Sequence, residues 1–317
     1  MTEPTKPESL RDAYGQALVE LGAKDPHLVV LDADLSGSTR TILFGQRFPD
    51  RFFNVGVMED TMMTIAAGFA LAGRTAFAST FAVFAAGQAY NFVRQSICYN
   101  RANVKIVATH GGLLVGPDGG THQMIEDIGL MRGLPGMTVI VPADAPTTRA
   151  VTFAVHERAG PAYVRLPREN LPTVTDGTFT LGRAPELRAG TDLTIVGVGA
   201  LLARGLEVAA ELERVGVSVR VLDFASVKPF DEPALLRAAR DTGAILVLEE
   251  HSPLTGVGAL VASTTSENYP VPVRRIGVPD VFGESGGGWA LLDAYGLSKE
   301  HIRDEAWELV RLRGKVQ

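Results

Sequence analysis

Short apolar runs alternate with longer segments of helical spacing along the first half of the chain. Five of these runs predict buried strands: LVVLDAD (28–34), RFFNVGV (51–57), RTAFAST (74–80), VKIVATH (104–110) and MTVIVPAD (137–144). The intervening residues near 9–23, 59–72, 82–100 and 145–158 have apolar positions at the spacing of helices. Strand–helix alternation of this kind is typical of a parallel sheet covered by helices on both faces.

This alternation stops near residue 166 and begins again near residue 191. The segment between them, LPRENLPTVTDGTFTLGRAPELRAG (166–190), contains three prolines and three glycines, which indicates a linker. Strand and helix patterns then alternate up to a last amphipathic helix over about 299–313. We therefore predict two doubly wound α/β domains, over 1–166 and 191–317, joined by a linker at 167–190.

Composition narrows the classes of function. The 317 residues are 46% apolar and 21% charged, as expected of a globular protein with two domains. A net charge of -6 without a basic stripe argues against nucleic acid or an anionic membrane as a partner. The single cysteine, Cys98, excludes an intrachain disulfide, and the first residues lack the apolar core of a signal peptide. We expect a cytoplasmic protein with no membrane span.

Polar residues are concentrated at four predicted strand ends, where open parallel sheets bind their ligands. These ends are DADLSGS (32–38), GVMED (56–60), STFAVF (79–84) and THGGLLVGPDGGTHQ (109–123). In the last of them His110, Asp118 and His122 stand among glycines, which let a backbone approach a ligand closely. A surface loop with solvated histidines is the alternative. The three side chains lack compact zinc-ligand spacing and no cysteine is near, so we expect no metal ligand in this chain.

Glu59 closes an apolar run and begins a predicted helix. A glutamate in a first helical turn is ordinarily explained by the helix dipole. Its apolar neighbours Val57 and Met58, together with the glycine-rich loop, favour a functional role instead. Two other features do not indicate a functional site. VGVGALLARG (196–205) lacks the GxGxxG spacing of a dinucleotide-binding turn, and Cys98 is expected to be a packed thiol.

Five of these segments, in the same order, resemble motifs of the transketolase family. THGGLLVGPDGGTHQ is similar to the family's THD…GEDGPTHQ, and GVMED to its G-V/I-x-E. STFAVF resembles STFLxF, ADLSGS resembles ADLxxS, and YVRLPRENLP resembles LSRQNLP. The resemblance covers nearly the whole chain and implies a thiamine-diphosphate pyrimidine-binding domain followed by the transketolase C-terminal domain, which begins near Asp192.

The resemblance implies roles for individual residues toward thiamine diphosphate. Glu59 matches the glutamate that hydrogen-bonds the pyrimidine N1′ and favours the imino tautomer, whose nitrogen takes the proton from C2. Phe84, with Phe81 beside it, corresponds to the aromatic pair that packs against the pyrimidine ring. Asp34 corresponds to a residue that helps orient the cofactor or the subunit contact, and His122 would lie nearest the reacting carbon.

The same resemblance implies a sugar-phosphate substrate. His110, Asp118 and His122 would face its hydroxyls and carbonyl, while Arg168 and Ser38 would hold its phosphate, a role that suits a planar guanidinium. The chain departs from the family at Gly111, which replaces the acid of THD, at GPDGG in place of GEDGP, and at Asp60 after the catalytic glutamate. These departures bear on the choice of sugar more than on the type of reaction.

The chain contains no GDG…N signature, with which thiamine enzymes bind Mg²⁺ and the diphosphate. The resemblance therefore implies a split transketolase, in which an N-terminal subunit supplies GDG…N, the cofactor lies at the interface, and the active form is a heterotetramer. The reaction implied is transfer of a two-carbon ketol unit from a ketose phosphate to an aldose phosphate.

Three alternatives are weighed against that prediction. The β subunit of a 2-oxo acid dehydrogenase usually has HSQ where this chain has THQ, and it lacks the segment around Arg168. A 1-deoxyxylulose-5-phosphate synthase is normally one chain. A non-catalytic partner subunit has no need of Glu59, His110, Asp118 and His122, all of which are present.

Overall fold

The computed structural model describes residues 6–316, and in its first half seven helices alternate with six strands. In chain order they are α1 (Leu10–Lys24), β1 (Leu28–Asp32), α2 (Ser36–Thr39), α3 (Ile42–Arg47), β2 (Phe52–Asn54), α4 (Glu59–Leu71), β3 (Thr75–Phe81), α5 (Tyr90–Phe92), β4 (Val104–Thr109), α6 (Asp127–Arg132), β5 (Thr138–Ile140), α7 (Ala145–Glu157) and β6 (Ala162–Arg165). Wider π-helical turns, Val83–Gln88 and Val93–Tyr99, flank α5, and a 3-10 segment, Leu113–Asp118, follows β4.

The second half of the chain forms another α/β unit. Its elements are β7 (Glu186–Arg188), β8 (Leu193–Gly197), α8 (Leu201–Glu213), β9 (Val219–Asp223), β10 (Ser226–Lys228), α9 (Glu232–Thr242), β11 (Ile245–Leu248), α10 (Val257–Asn268), β12 (Val273–Ile276), α11 (Gly288–Leu292) and α12 (Lys299–Val316). The five-stranded sheet has the order β12-β11-β8-β9-β7, and only β7 at its edge is antiparallel.

The first sheet has the order β10-β5-β6-β4-β3-β1-β2 and is parallel except for β10. Alternate residues of β1 belong to the cores on its two faces, as the strand geometry requires. Leu28 and Val30 lie in the cluster that contains Tyr14 of α1, while Val29 and Leu31 lie in the cluster that contains Met62 of α4. Burial on both faces explains why the central strands are almost entirely apolar.

The predicted fold of two α/β domains is confirmed, and three details differ from the pattern. The strand β6 was not predicted, because its four residues end in Arg165 and so interrupt the apolar signal. The antiparallel strand β7 lies inside the predicted linker, and β10 crosses from the second half of the chain to pair with β5. The limits of the domains at 166 and 191 stay a prediction.

The two halves meet around the loop that follows β4. The helix α11 packs on the 3-10 segment of that loop, and the backbone N–H of Ser252 donates to the carbonyl of Ile125 at 2.7 Å. The loop is therefore held by both domains. Within residues 6–316, no helix is both long and apolar enough to cross a membrane.

Candidate active site

The predicted site residues lie at the carboxyl-end edge of the first sheet. This follows from the parallel pairing of β1 with β2 and β3, and of β3 with β4, which brings the ends of these strands to one side. Three residues at this edge, Asp34, Arg40 and His110, have φ angles of 66°, 69° and 58°. Positive φ in a residue other than glycine is costly and concentrates at functional sites.

Glu59 is the first residue of α4, and only 2% of it is exposed. The hydroxyl of Thr80, at the end of β3, donates to Oε1 of Glu59 over 3.4 Å. This long bond is the one hydrogen bond or ion pair found for the carboxyl group among the residues that the structure describes. A buried carboxyl group normally has stronger partners, because its desolvation is otherwise uncompensated. The Glu59 carboxyl thus remains available to a donor from outside the chain.

Two phenylalanines and two histidines form a cluster of rings next to Thr80. The rings of Phe81 and His110 stack with centroids 3.8 Å apart, and Phe84 stacks on Phe81 at 5.9 Å. His122 meets the ring of Phe84 edge-on at 5.7 Å. The structure therefore brings together the aromatic pair and both loop histidines that the sequence singled out.

Both histidines are oriented through the same ring atom. Nδ1 of His110 lies 2.8 Å from the hydroxyl of Thr109, and Nδ1 of His122 lies 2.9 Å from that of Thr121. Desolvation by burial, followed by the nearby charges of Arg11 and Arg168, lowers the pKa of His110 to about 3. A neutral imidazole with a fixed Nδ1 can offer Nε2 to a hydroxyl or carbonyl group of a ligand.

Arg168 and Ser38 are joined by a residue that the sequence reasoning missed. Arg11 of α1 donates from Nη1 to the carbonyl of Ser38 and from Nη2 to the carbonyl of Arg168, each over 2.9 Å. Burial, and then the positive charge of Arg40, lowers the pKa of Arg11. Arg168 itself pairs with Asp118, Nη1 to Oδ1 at 3.0 Å. Guanidinium groups gathered in this way suit an anion.

The turn that carries Asp34 and Ser38 is stabilised by hydrogen bonds to a buried carboxylate. Asp32 accepts hydrogen bonds from the hydroxyl groups of Thr39 and Thr41 at 2.7 and 2.8 Å. Asp34 is exposed, and its carboxylate accepts from Nδ2 of Asn54 at 2.9 Å. It has no ring or hydrogen-bond contact with the cluster around Phe81 within residues 6–316, so its role toward the cofactor stays a prediction.

Gly111, where the chain departs from the family motif, lies directly against a buried arginine. A Cβ atom at Gly111 would come within 2.5 Å of Nε of Arg165, the last residue of β6. An acidic side chain has no room there unless Arg165 moves. Arg165 was missed with its strand, and the charged residue that ends an otherwise apolar AYVR run is the signal that marks it.

Comparisons with known proteins give the same assignment for both halves. Residues 6–174 match the family model described as transketolase, pyrimidine binding domain, and residues 182–302 match transketolase, C-terminal domain. A putative transketolase C-terminal section from Methanocaldococcus jannaschii is 42% identical over 306 residues, which cover 95% of this chain and 96% of that protein. A 6-deoxy-6-sulfo-D-fructose transketolase subunit from a Clostridium species is 40% identical over 302 residues, covering 95% and 94%.

A solved structure described as a split gene transketolase, inactive beta4 tetramer, has the same fold. It superposes with a TM-score of 0.90 and 49% sequence identity, over 96% of this chain and 99% of that one. The site geometry, the two family models and these full-length relatives agree. The chain belongs to the transketolase family and comprises its pyrimidine-binding and C-terminal domains.

Proposed function

We propose that this chain is the C-terminal subunit of a thiamine-diphosphate-dependent transketolase. It transfers a two-carbon ketol unit from a ketose phosphate to an aldose phosphate, together with an N-terminal subunit. The observation that supports this most directly is the carboxyl group of Glu59, which is buried, weakly partnered and adjacent to the ring cluster.

The residues of this edge fit the pyrimidine half of thiamine diphosphate. Glu59 lacks a strong partner, as a carboxyl group that hydrogen-bonds the N1′ atom requires, and Phe84 is partly accessible for packing against a flat ring. When bound, the cofactor supplies the electron-sink chemistry at its C2 atom. Glu59 would hydrogen-bond the N1′ atom, and Phe81 and Phe84 would pack against the pyrimidine ring.

The remaining site residues would hold the sugar. Neutral His110 would offer its Nε2 atom to the hydroxyl and carbonyl groups of the sugar, as would His122, and Asp118 would accept a hydrogen bond from a hydroxyl group while it pairs with Arg168. Arg11 and Arg168 form the positive end of the site. One relative is named for a sulfo sugar and another for apulose 4-phosphate, so the substrates in the names of this chain's relatives differ. For this chain we propose a phosphate.

An N-terminal partner subunit would complete the site. This chain has no GDG…N signature, so the partner holds Mg²⁺ and the diphosphate. Beside Glu59, Val57 is 75% and Met58 50% exposed. Exposed apolar residues grouped in this way mark interaction surfaces. We propose a heterotetramer with the cofactor between the two kinds of subunit.

The test is reconstitution with the subunit that carries GDG…N, followed by a transfer assay with xylulose 5-phosphate and ribose 5-phosphate. Transfer that depends on added thiamine diphosphate is expected, and Glu59→Gln lowers kcat at least about 100-fold, the usual scale for losing a proton-transfer group. Gel filtration should show that the variant still assembles. A Glu59→Gln complex with full turnover would remove Glu59 from the mechanism.

A further inference from the structure

A carboxylate from the second domain reaches the substrate loop. Glu250 lies two residues after β11, and 3% of it is exposed. Its Oε1 atom accepts the backbone N–H of Leu114 at 2.6 Å, and Leu114 lies midway between His110 and Asp118. We propose that Glu250 is a positioning residue for the transfer reaction: its bond to Leu114 fixes the loop that presents both substrate-facing side chains. The inference rests on the proposed function.

The loop backbone packs closely against Glu250. Gly112 has a φ of 76°, and a Cβ atom there would lie 2.4 Å from the carboxyl carbon of Glu250 and 2.5 Å from Nη2 of Arg165. Arg165 in turn donates from Nη2 to the backbone carbonyl of Glu250 at 2.9 Å. The turn after His110 therefore packs directly against Glu250 and Arg165.

The strength of the hydrogen bond from Leu114 depends on whether Glu250 is ionised, and the groups around Glu250 set its pKa. Arg165 lies between two carboxylates, with Nε 3.0 Å from Asp127 Oδ2 and Nη1 3.7 Å from Glu250 Oε2. Glu249 and His251 flank Glu250 in its own segment. Burial raises the pKa of Glu250 to about 7, opposed by Arg165 and by the Leu114 N–H. A hydrogen bond to an ionised acceptor is about twice as strong as one to a neutral acceptor.

These contacts determine how the hydrogen bond between Glu250 and Leu114 depends on pH. Above about pH 7 Glu250 is ionised and holds the Leu114 N–H through a charge-assisted bond. As the pH falls below that value the carboxyl group gains a proton, the bond weakens and the loop opens more often. Substrate binding should therefore weaken between pH 8 and pH 6, and a neutral amide at position 250 should remove this dependence.

The neighbouring Glu249 provides a matched control. It is also almost fully buried, and burial raises its pKa to about 7 as well. Its carboxylate, however, accepts the N–H groups of Val257 and Gly258 at 2.7 and 2.8 Å, at the start of α10. Glu249→Gln thus neutralises an equally buried carboxylate of the same segment without removing the bond to the loop.

Hydrogen exchange in the isolated full-length chain tests the proposal without any assay of activity. At pH 8, Glu250→Gln should lower the protection of the Leu114 amide about 10-fold, because the charge-assisted bond to a carboxylate becomes a weaker bond to a neutral amide. Glu249→Gln should leave that protection unchanged. In the unaltered chain, the protection factor of Leu114 should fall from pH 8 to pH 6, and this measurement needs no variant to fold. Constant protection over this range, or equal loss in both variants, would overturn the proposal.

Kinetics of the reconstituted complex give the second readout. Glu250→Gln should raise KM for the ketose phosphate about 10-fold with a smaller change in kcat, and its KM should be level from pH 6 to pH 8. The unaltered complex should show KM rising toward pH 6. A normal KM and an unchanged pH profile in Glu250→Gln would refute the positioning role. A complex with no transfer activity would count against the proposed function, while the exchange result would still decide the role of Glu250.

Discussion

Replacing Gly112 by alanine tests the packing of the substrate loop against the second domain. Gly112 has φ 76° and ψ -163°, a region that is open almost only to glycine and that costs another residue about 1–3 kcal/mol. The new methyl group would also overlap the Glu250 carboxyl group at 2.4 Å and Arg165 at 2.5 Å. Displacing two buried groups adds about 1–3 kcal/mol, as for other overpacked sites. Together these effects should lower the free energy of unfolding by about 2–6 kcal/mol.

Gly136→Ala separates the two contributions. The φ of Gly136 is 75°, yet among the described residues no heavy atom beyond Gly136 and its two chain neighbours lies within 4 Å of where its Cβ would stand. The alanine variant should cost only about 1–2 kcal/mol, the penalty for a positive φ alone. Urea unfolding of the isolated chain, followed by circular dichroism, gives both midpoints, and comparable slopes make them comparable as free energies. Equal shifts for the two variants would show that the loop does not press on Glu250 and Arg165.

Two further predictions concern the ends of the site. Arg168→Ala should raise KM for phosphorylated donors at least about 10-fold and change little for unphosphorylated ones, since a charge-assisted contact to phosphate is lost; equal losses for both donors in the transfer assay would contradict the phosphate role. The pKa of His110 is lowered to about 3 in the folded chain, so between about pH 6.5 and pH 3 the unfolded chain binds a proton at this residue that the folded chain does not. The folded state therefore loses stability as the pH falls through this range. In His110→Gln, thermal melts should show a shallower loss over that window, by up to about 1.4 kcal/mol per pH unit, and identical slopes would refute the assignment.

The strands could be predicted from the sequence where each is a continuous run of apolar residues. Strands such as β1 and β4 are buried on both faces, so each is a continuous apolar run. The strand β6 was not predicted, because its four residues end in the buried Arg165. That arginine is stabilised by Asp127, which lies far from it in sequence.

The candidate site divides in the same way. Glu59 and the loop from His110 to His122 belong to contiguous motifs, so a family resemblance found them. Arg11 did not stand out, because its contacts are with residues 27 and 157 positions away, and nothing around it in α1 marks it. Glu250 reaches Leu114 across 136 positions. Such residues acquire a role only through tertiary packing, which periodicity and local motifs do not contain.

We propose that Glu59 activates thiamine diphosphate held between this chain and its partner subunit. The most direct test is the rate at which the C2 proton of thiamine diphosphate exchanges with deuterium in the reconstituted complex, followed by NMR after acid quench. We predict fast exchange in the unaltered complex, and exchange at least about 100-fold slower in Glu59→Gln with the cofactor still bound. Equal exchange rates in the two complexes would contradict a role for Glu59 in activating the cofactor.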